Sequence, residues 1–277
     1  MTVLITVDEL ADALQSDRPP VLLDVRWSLG GPPGREEYLK GHIPGAVFVD
    51  LDTELASPGE PTDGRHPLPS PAELQAAARR WGINPGDAVV AYDGNGNLSS
   101  ARAWWLLRWA GLTDVRLLDG ALPAWVAAGR SLATDDVAPT PGTVELTSGA
   151  VRTLDHTEIE DFMQRGILLD ARAPERFRGE DEPIDPKAGH IPSARNAPTG
   201  GNLDESGHFL PADELRARFK ALGIDGSRPI GVYCGSGVTA AHEIAALEIA
   251  GGFRTALYPG SWSQWSNLDM PVATGAY

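Results

Sequence analysis

The chain has 277 residues, 42% of them hydrophobic and 22% charged, an ordinary globular composition with material for one large domain or two ordinary ones. Acidic residues outnumber basic ones by 38 to 23, giving a net charge of −15 that repels nucleic acid and anionic membrane, so neither is expected as a partner. The single cysteine excludes an internal disulfide, and no Cys/His cluster has zinc-site spacing.

Any anionic substrate must then be drawn in by a local cationic pocket. Lys40, Lys187 and Lys220 are the only lysines, so arginine has to supply most of that charge. The N-terminal stretch lacks a basic n-region and a cleavage site, and no 18-residue apolar run occurs, so a cytoplasmic location is expected.

In chain order, residues 3–5 are β-like, and Thr6 is placed to cap a helix that carries Leu10, Ala11 and Leu14 on one face. VLLDVR (21–26) reads as a buried strand, and GHIPGAVFVDLD (41–52) as a turn leading into another. After a polar, proline-rich loop through His66 and Pro69, residues 71–81 read as a helix and 88–92 as a buried strand. Residues 101–110 form a helix with three tryptophans, 115–118 a strand, and 122–128 a short helix.

The chain then repeats itself. LLDVR (22–26) returns as LLDAR (168–172), and GHIP (41–44) as GHIP (189–192). WGINPGDAVVAYD (81–93) is answered by LGIDGSRPIGVYC (222–234), and Leu118, Asp119, Gly120 and Trp125 by Tyr258, Pro259, Gly260 and Trp265. Four matches in one order, displaced by 140 to 148 residues, indicate a duplicated domain. Each copy of about 130 residues is enough for one core. The expected division is 1–130, a linker over 131–151, and 152–277. Alternating strands and helices predict an α/β fold in each half, with a mostly parallel sheet flanked by helices. Reactive loops in such sheets lie at the C-terminal ends of the strands.

One loop meets that rule. The strand ending at Tyr233 runs into Cys234, then Gly235, Ser236, Gly237, Val238 and Thr239, where a helix-forming series begins. Successive backbone N–H groups and a helix N-terminus behind a cysteine favour the thiolate, its reactive form. A lone cysteine is often only a small buried hydrophobe. Two glycines within three residues of it, which a structural strand cysteine does not need, favour catalysis.

The LLD[VA]R, GHIP and strand–Cys–loop plan resembles the two-domain rhodanese-like sulfurtransferases over nearly the whole chain, and CGSGVTA (234–240) resembles the loop of the 3-mercaptopyruvate sulfurtransferases among them. The resemblance implies that an anionic donor gives its outer sulfur to Cys234, and that the persulfide passes it to a thiophilic acceptor. That acceptor is cyanide or a thiol, with a thioredoxin-like protein as one source of the thiol. Covalent catalysis of this kind needs no cofactor and no metal.

The resemblance also implies site residues. Arg176 matches the arginine that binds the donor, with a surface ion pair to Glu175 or Glu180 as the alternative. Gly235, Gly237, Val238 and Thr239 form the rest of the loop. Ser236, His66 and Asp52 resemble a Ser–His–Asp relay that handles the donor's proton or carbonyl, although His66 also reads as an exposed loop histidine. Mercaptopyruvate enzymes commonly carry a second arginine nine positions after the one matching Arg176, where this chain has Asp185. That favours thiosulfate as donor, with Lys187 or Arg178 as compensating cations. Ser236 and the His66–Asp52 match favour mercaptopyruvate, the preferred reading.

Asp93 occupies the cysteine position of the first half, so that half is expected to be inactive and to pack its loops over the other half's site. Arg172 is expected to organise its loop, His42 and His190 to be structural, and the eight tryptophans to pack cores and the domain interface. Two rivals remain. A cysteine phosphatase needs an arginine closing the loop, but Ala240 and Ala241 stand there. A non-catalytic binding module would not need an intact CGSGVTA loop.

Overall fold

The computed structural model describes residues 2–276. They form two compact units. Unit 1 takes the chain up to Ser57, Pro69–Ala150 and Asp204–Phe209. Unit 2 takes Pro58–Leu68, Val151–Leu203 and the chain from Leu210 onward. Each unit thus borrows one loop from the other's stretch of sequence, and the loop carrying His66 belongs to unit 2.

In unit 1 the elements are β1 (Leu4–Ile5), α1 (Val7–Ala13), β2 (Val21–Asp24), α2 (Gly34–Lys40), β3 (Val47–Phe48), α3 (Leu51–Glu54), α4 (Pro71–Arg80), β4 (Val89–Tyr92), α5 (Ser100–Trp109), β5 (Val115–Leu118) and α6 (Ala121–Ala127). Thr6 caps α1: its hydroxyl accepts from the Glu9 N–H, and the Glu9 carboxylate accepts from the Thr6 N–H. Ser70 and Glu73 form the same reciprocal pair at the start of α4, with Pro71 at the first helical position. The five strands run parallel in the order β1-β5-β4-β2-β3. The apolar runs predicted as strands are these central strands, buried because helices cover both faces. Along α5, Arg108 is the one residue that is not fully buried, so this helix is core on every side rather than amphipathic.

Unit 2 contains α7 (Ile159–Arg165), β6 (Ile167–Asp170), α8 (Pro174–Arg178), β7 (Arg195–Asn196), α9 (Ala212–Ala221), β8 (Ile230–Tyr233), α10 (Thr239–Ala250), β9 (Thr255–Leu257) and α11 (Ser261–Asn267). Its four parallel strands run β7-β6-β8-β9. Where unit 1 has β1, unit 2 keeps only a parallel bridge between Thr153 and Leu257.

The repeated motifs have one physical cause. In unit 1 the Arg26 guanidinium donates to the Asp24 carboxylate at 3.0 Å and to the Gly41 carbonyl at 2.8 Å. In unit 2 Arg172 does the same with Asp170 and Gly189, both at 2.6 Å. The tyrosine ending the next strand then holds the turn, Tyr92 Oη accepting from the Ile43 N–H and Tyr233 Oη from the Ile191 N–H. His42 stacks on Tyr38, His190 stacks on Phe177, and each Nδ1 bonds the backbone carbonyl of the residue it stacks on. Burial holds the His190 imidazole below its ordinary pKa, as suits a neutral ring fixed in a wall. LLD[VA]R and GHIP are therefore one clasp, made twice. Seven of the eight tryptophans are buried, Trp27 being partly exposed.

Candidate active site

β8 lies inside its sheet, between β6 and β9, and delivers Cys234 at its C-terminal end. The thiol is buried, at 2% exposure. Among the described residues the Gly237 N–H is the amide that bonds Sγ, at 3.1 Å, fewer than the ring of amides expected from the sequence. Gly237 turns the chain at φ +80°, and a Cβ there would lie 2.4 Å from the Pro259 carbonyl oxygen. Val238 is buried as the residue before α10, and Thr239 is the first residue of that helix.

The segment entering α11 braces the loop from below. The Ser261 hydroxyl accepts from the Cys234 N–H at 3.1 Å and donates to the Tyr258 carbonyl at 2.9 Å. The Trp262 and Ser263 N–H groups donate to the carbonyls of Cys234 and Gly235, at 3.0 and 2.8 Å. Ser263 also anchors the loop Pro58–Leu68: its hydroxyl accepts from the Arg65 N–H at 3.1 Å, and Gln264 donates to the Thr62 carbonyl at 3.0 Å.

That docking brings His66 beside the cysteine loop, where His66 Nδ1 and the Ser236 hydroxyl share a hydrogen bond of 2.8 Å. Both are buried, His66 at 8% and Ser236 at 7% exposure, so His66 is not an exposed loop histidine. Asp52 lies in unit 1 near the start of α3, and both its oxygens accept from the Trp27 indole N–H, at 3.0 and 3.2 Å.

Arg176 stands in the middle of the short helix α8 with its guanidinium toward Gly235: a Cβ built on that glycine would lie 3.5 Å from Arg176 Nη1. Its acidic partners are Glu182, at 2.6 Å, and Asp185, at 3.3 Å, in place of the Glu175 or Glu180 pair considered from sequence. Neither expected substitute for the missing second arginine reaches this place. Lys187 donates to the Leu268 carbonyl at 2.7 Å, and Arg178 pairs with Glu180 at 2.6 Å. Arg65 is there instead. Its Nη2 lies 3.0 Å from that same Cβ point, and its Nη1 pairs with Asp185. Burial pushes the Asp185 carboxyl above its ordinary pKa, while Arg65 pulls it back down.

This arrangement offers a buried thiol, a hydroxyl–imidazole pair and two guanidinium groups within one loop's reach. A model of the rhodanese-like domain matches residues 6–128 and again 155–268. The chain belongs to the rhodanese-like family. It is 50% identical over 279 residues to "Putative thiosulfate sulfurtransferase SseB" of Mycobacterium tuberculosis, covering 99% of this chain and 97% of that protein. It is 46% identical over 281 residues to "Probable 3-mercaptopyruvate sulfurtransferase" of Pseudomonas aeruginosa, covering 98% of each. The crystal structure of SseA from Escherichia coli, described as a 3-mercaptopyruvate sulfotransferase, superposes with a TM-score of 0.81 at 32% identity, over 95% of this chain and 99% of that one. Both units are thus rhodanese-like domains. No helix among the described residues is long and apolar enough to cross a membrane.

Sequence reasoning passed over Arg65, Glu182, Ser261 and Ser263. Arg65 sits next to His66 in DGRHP, so a histidine expected at the site was itself the signal that its neighbour deserved the same test.

Proposed function

We propose that the protein is a sulfurtransferase that moves a sulfane sulfur from 3-mercaptopyruvate through a Cys234 persulfide to cyanide or a thiol, the thiol carried by a small molecule or a thioredoxin-like protein. The observation that carries the choice of donor is the 2.8 Å hydrogen bond between His66 Nδ1 and the Ser236 hydroxyl. Mercaptopyruvate leaves as an enolate that needs a proton, and thiosulfate leaves as sulfite, which does not.

In the first step the Cys234 thiolate attacks the donor sulfur. An S–S bond forms, the donor C–S bond breaks, and its electron pair passes into the pyruvate enolate. The donor's thiol hydrogen stays on the transferred sulfur. The enolate carbon takes a proton from the Ser236 hydroxyl, which His66 replaces. In the second step a thiolate or cyanide attacks the outer sulfur, and Cys234 leaves as thiolate. No external oxidant or reductant enters. The Gly237 N–H, 3.1 Å from Sγ, stabilises negative sulfur in both steps. Gly235, Val238 and Thr239 shape the loop, and Arg176 holds the donor's carboxylate.

A second reading, thiosulfate as donor, is favoured by the name of the Mycobacterium tuberculosis relative and by Asp185. A phosphatase is disfavoured by Ala240 and Ala241 at the loop's closing positions. Side-by-side sulfur transfer to cyanide from both donors, with Cys234→Ser as the blank, tests the proposal. The expected result is a kcat/KM for mercaptopyruvate at least tenfold above that for thiosulfate, and an added mass of about 32 Da on Cys234 after donor treatment, as persulfidation gives. A preference for thiosulfate overturns the choice of donor. Activity from neither donor above the serine blank overturns the enzyme.

A further inference from the structure

The loop Pro58–Leu68, which carries His66, is held by two side chains of α11. Gln264 Nε2 donates to the Thr62 carbonyl at 3.0 Å, and the Ser263 hydroxyl accepts from the Arg65 N–H at 3.1 Å. Behind them stands Tyr258, 1% exposed, whose Oη donates to Gln264 Oε1 at 2.9 Å and so turns the N–H edge of that amide toward the loop. Two glycines make the fit possible. Gly64 turns at φ +89° so near α11 that a Cβ there would lie 2.8 Å from the Gly260 carbonyl oxygen, and a Cβ on Gly260 would overlap Gln264 Oε1.

The other unit is the control. Leu118 answers to Tyr258, Gly120 to Gly260 and Trp125 to Trp265, all 140 residues apart, so Pro123 and Ala124 stand where unit 2 has Ser263 and Gln264. Leu118, Pro123 and Ala124 carry no polar side-chain atom, yet α6 spans the same stretch as α11. The shared fold is therefore built without the phenol, the hydroxyl and the amide. A loop crosses Gly120 too, with His208 Nε2 at 2.6 Å from a Cβ built there, but it is pinned by its backbone, the Phe209 N–H donating to the Asp119 carboxylate at 3.0 Å. The three polar residues occur together in the unit that holds Cys234, and the loop they hold places His66 Nδ1 at 2.8 Å from the Ser236 hydroxyl.

We propose that Tyr258, Gln264 and Ser263 are positioning residues for the proton relay, a latch that keeps the loop Pro58–Leu68 docked and His66 on Ser236. The inference rests on the sulfurtransferase reading for the step that His66 serves, not for the latch itself. One neutral hydrogen bond shifts a docking equilibrium by about fivefold, and two together by about twentyfold. With the loop undocked, the Ser236 hydroxyl has no imidazole behind it to replace the proton it gives, and turnover slows.

Hydrogen–deuterium exchange and turnover, measured on the same full-length variants, test this. Gln264→Leu and Ser263→Ala are each expected to speed amide exchange over residues 58–68 by about fivefold, and the double variant by about twentyfold. At saturating mercaptopyruvate, kcat falls by about threefold in either single variant and about tenfold in the double. Tyr258→Phe shifts both readings less, and adds nothing to Gln264→Leu. The deciding measurement is a double-mutant cycle with His66→Ala. In that background Gln264→Leu leaves the lowered kcat where it is, whereas a residue that serves only stability lowers it by the same factor again. If Ser263→Ala, which also loses a bond to the Gly260 carbonyl, does not fold, the partly exposed Gln264 carries the test alone. Unchanged exchange over 58–68 in Gln264→Leu overturns the latch. Faster exchange with unchanged kcat, or a full further loss in the His66→Ala background, overturns the positioning role. A wild-type protein that takes no sulfur from mercaptopyruvate overturns the choice of donor, and the exchange result still decides the latch.

Discussion

The loop after β4 and the loop after β8 occupy the same place in their units and do opposite things with it. Each follows a strand that ends in tyrosine, and each takes a matching bond at 3.0 Å from the neighbouring loop, Leu122 N–H to the Asp93 carbonyl and Trp262 N–H to the Cys234 carbonyl. The bracing residues just before these share an unusual backbone, Ala121 at φ 54° and Ser261 at φ 55°. What differs is the anion inside. The Asp93 carboxylate accepts from the N–H groups of Asn95 and Asn97 on one oxygen and of Ser99 and Ser100 on the other, at 2.7 to 3.0 Å. In the second loop Sγ of Cys234 takes one N–H, from Gly237, and the thiol is buried. The fold supplies a nest of amides that wants a negative charge. Filled by the chain's own carboxylate, the nest is a permanent structural joint. With a thiol in that place a single amide, that of Gly237, bonds the sulfur, and it is there that we propose the reaction occurs.

The largest effect should come from emptying the closed nest. Asp93→Ala leaves three buried N–H groups, of Asn97, Ser99 and Ser100, without acceptors, and each unmet donor costs about 1–3 kcal/mol, so unit 1 is expected to lose about 3 kcal/mol or more in urea unfolding. Asp93→Asn keeps an acceptor and loses roughly half of that. Asp93→Cys sharpens the comparison further. Mass spectrometry after donor treatment should find the added sulfur on Cys234 and none at position 93, because Glu37, the residue before the Tyr38 that matches Phe177 in the clasp, stands in the place of Arg176. A persulfide at position 93 would show that the nest alone makes a thiol reactive.

The next effect separates two glycines of the reactive loop. Gly237→Ala forces a side chain into φ +80° and against the Pro259 carbonyl at 2.4 Å, backbone against which nothing can yield. Sulfur transfer is expected to fall by about a hundredfold or more, with stability down by about 2–3 kcal/mol. In Gly235→Ala the new methyl meets only the ends of two flexible arginines, so the thermal midpoint should stay within about a degree or two while KM rises. Equal loss of fold in both variants would mean that Gly235 serves the turn and not the donor.

How much of this was readable follows from where each interaction is decided. The duplication, the central strands and Cys234 are local patterns that leave their mark in consecutive residues. The clasp of LLD[VA]R with GHIP was visible as a repeat, though its cause was not, because Arg26 and Arg172 act through backbone carbonyls that any residue carries. Asp185 was legible only as a missing arginine. Its ion-pair partner Arg65 lies 120 positions away, on a loop whose docking rests on Ser263 and Gln264. Polar loop-to-loop contacts have no period, so hydrophobic patterning cannot announce them. For the same reason the partners of Arg176 were sought among its near neighbours Glu175 and Glu180, while the chain folds Glu182 and Asp185 back onto it.

The helices behind the two loops supply the smallest and subtlest test. The fifth residue of α5 is Trp104, fully buried, whereas the fifth of α10 is Glu243, also fully buried. Burial pushes the Glu243 carboxyl up to about 7, despite Arg218 at 3.8 Å and the Asn202 amide at 2.6 Å. The folded protein therefore holds this proton at pH values where the unfolded chain, with an ordinary value of 4.5, has released it. The unfolded state binds fewer protons across that window, so the contribution to stability falls as pH rises from about 4.5 to about 7 and is level above it. Glu243→Gln removes the titration. Relative to this variant, the wild type should lose a few degrees of thermal midpoint between pH 5 and pH 8, in a transition that unit 1, with tryptophan at the matching position, does not share. A difference that stays flat across that range would mean that Arg218 keeps Glu243 charged throughout. The polar cluster behind the reactive loop would then be an ion pair and not a buried acid.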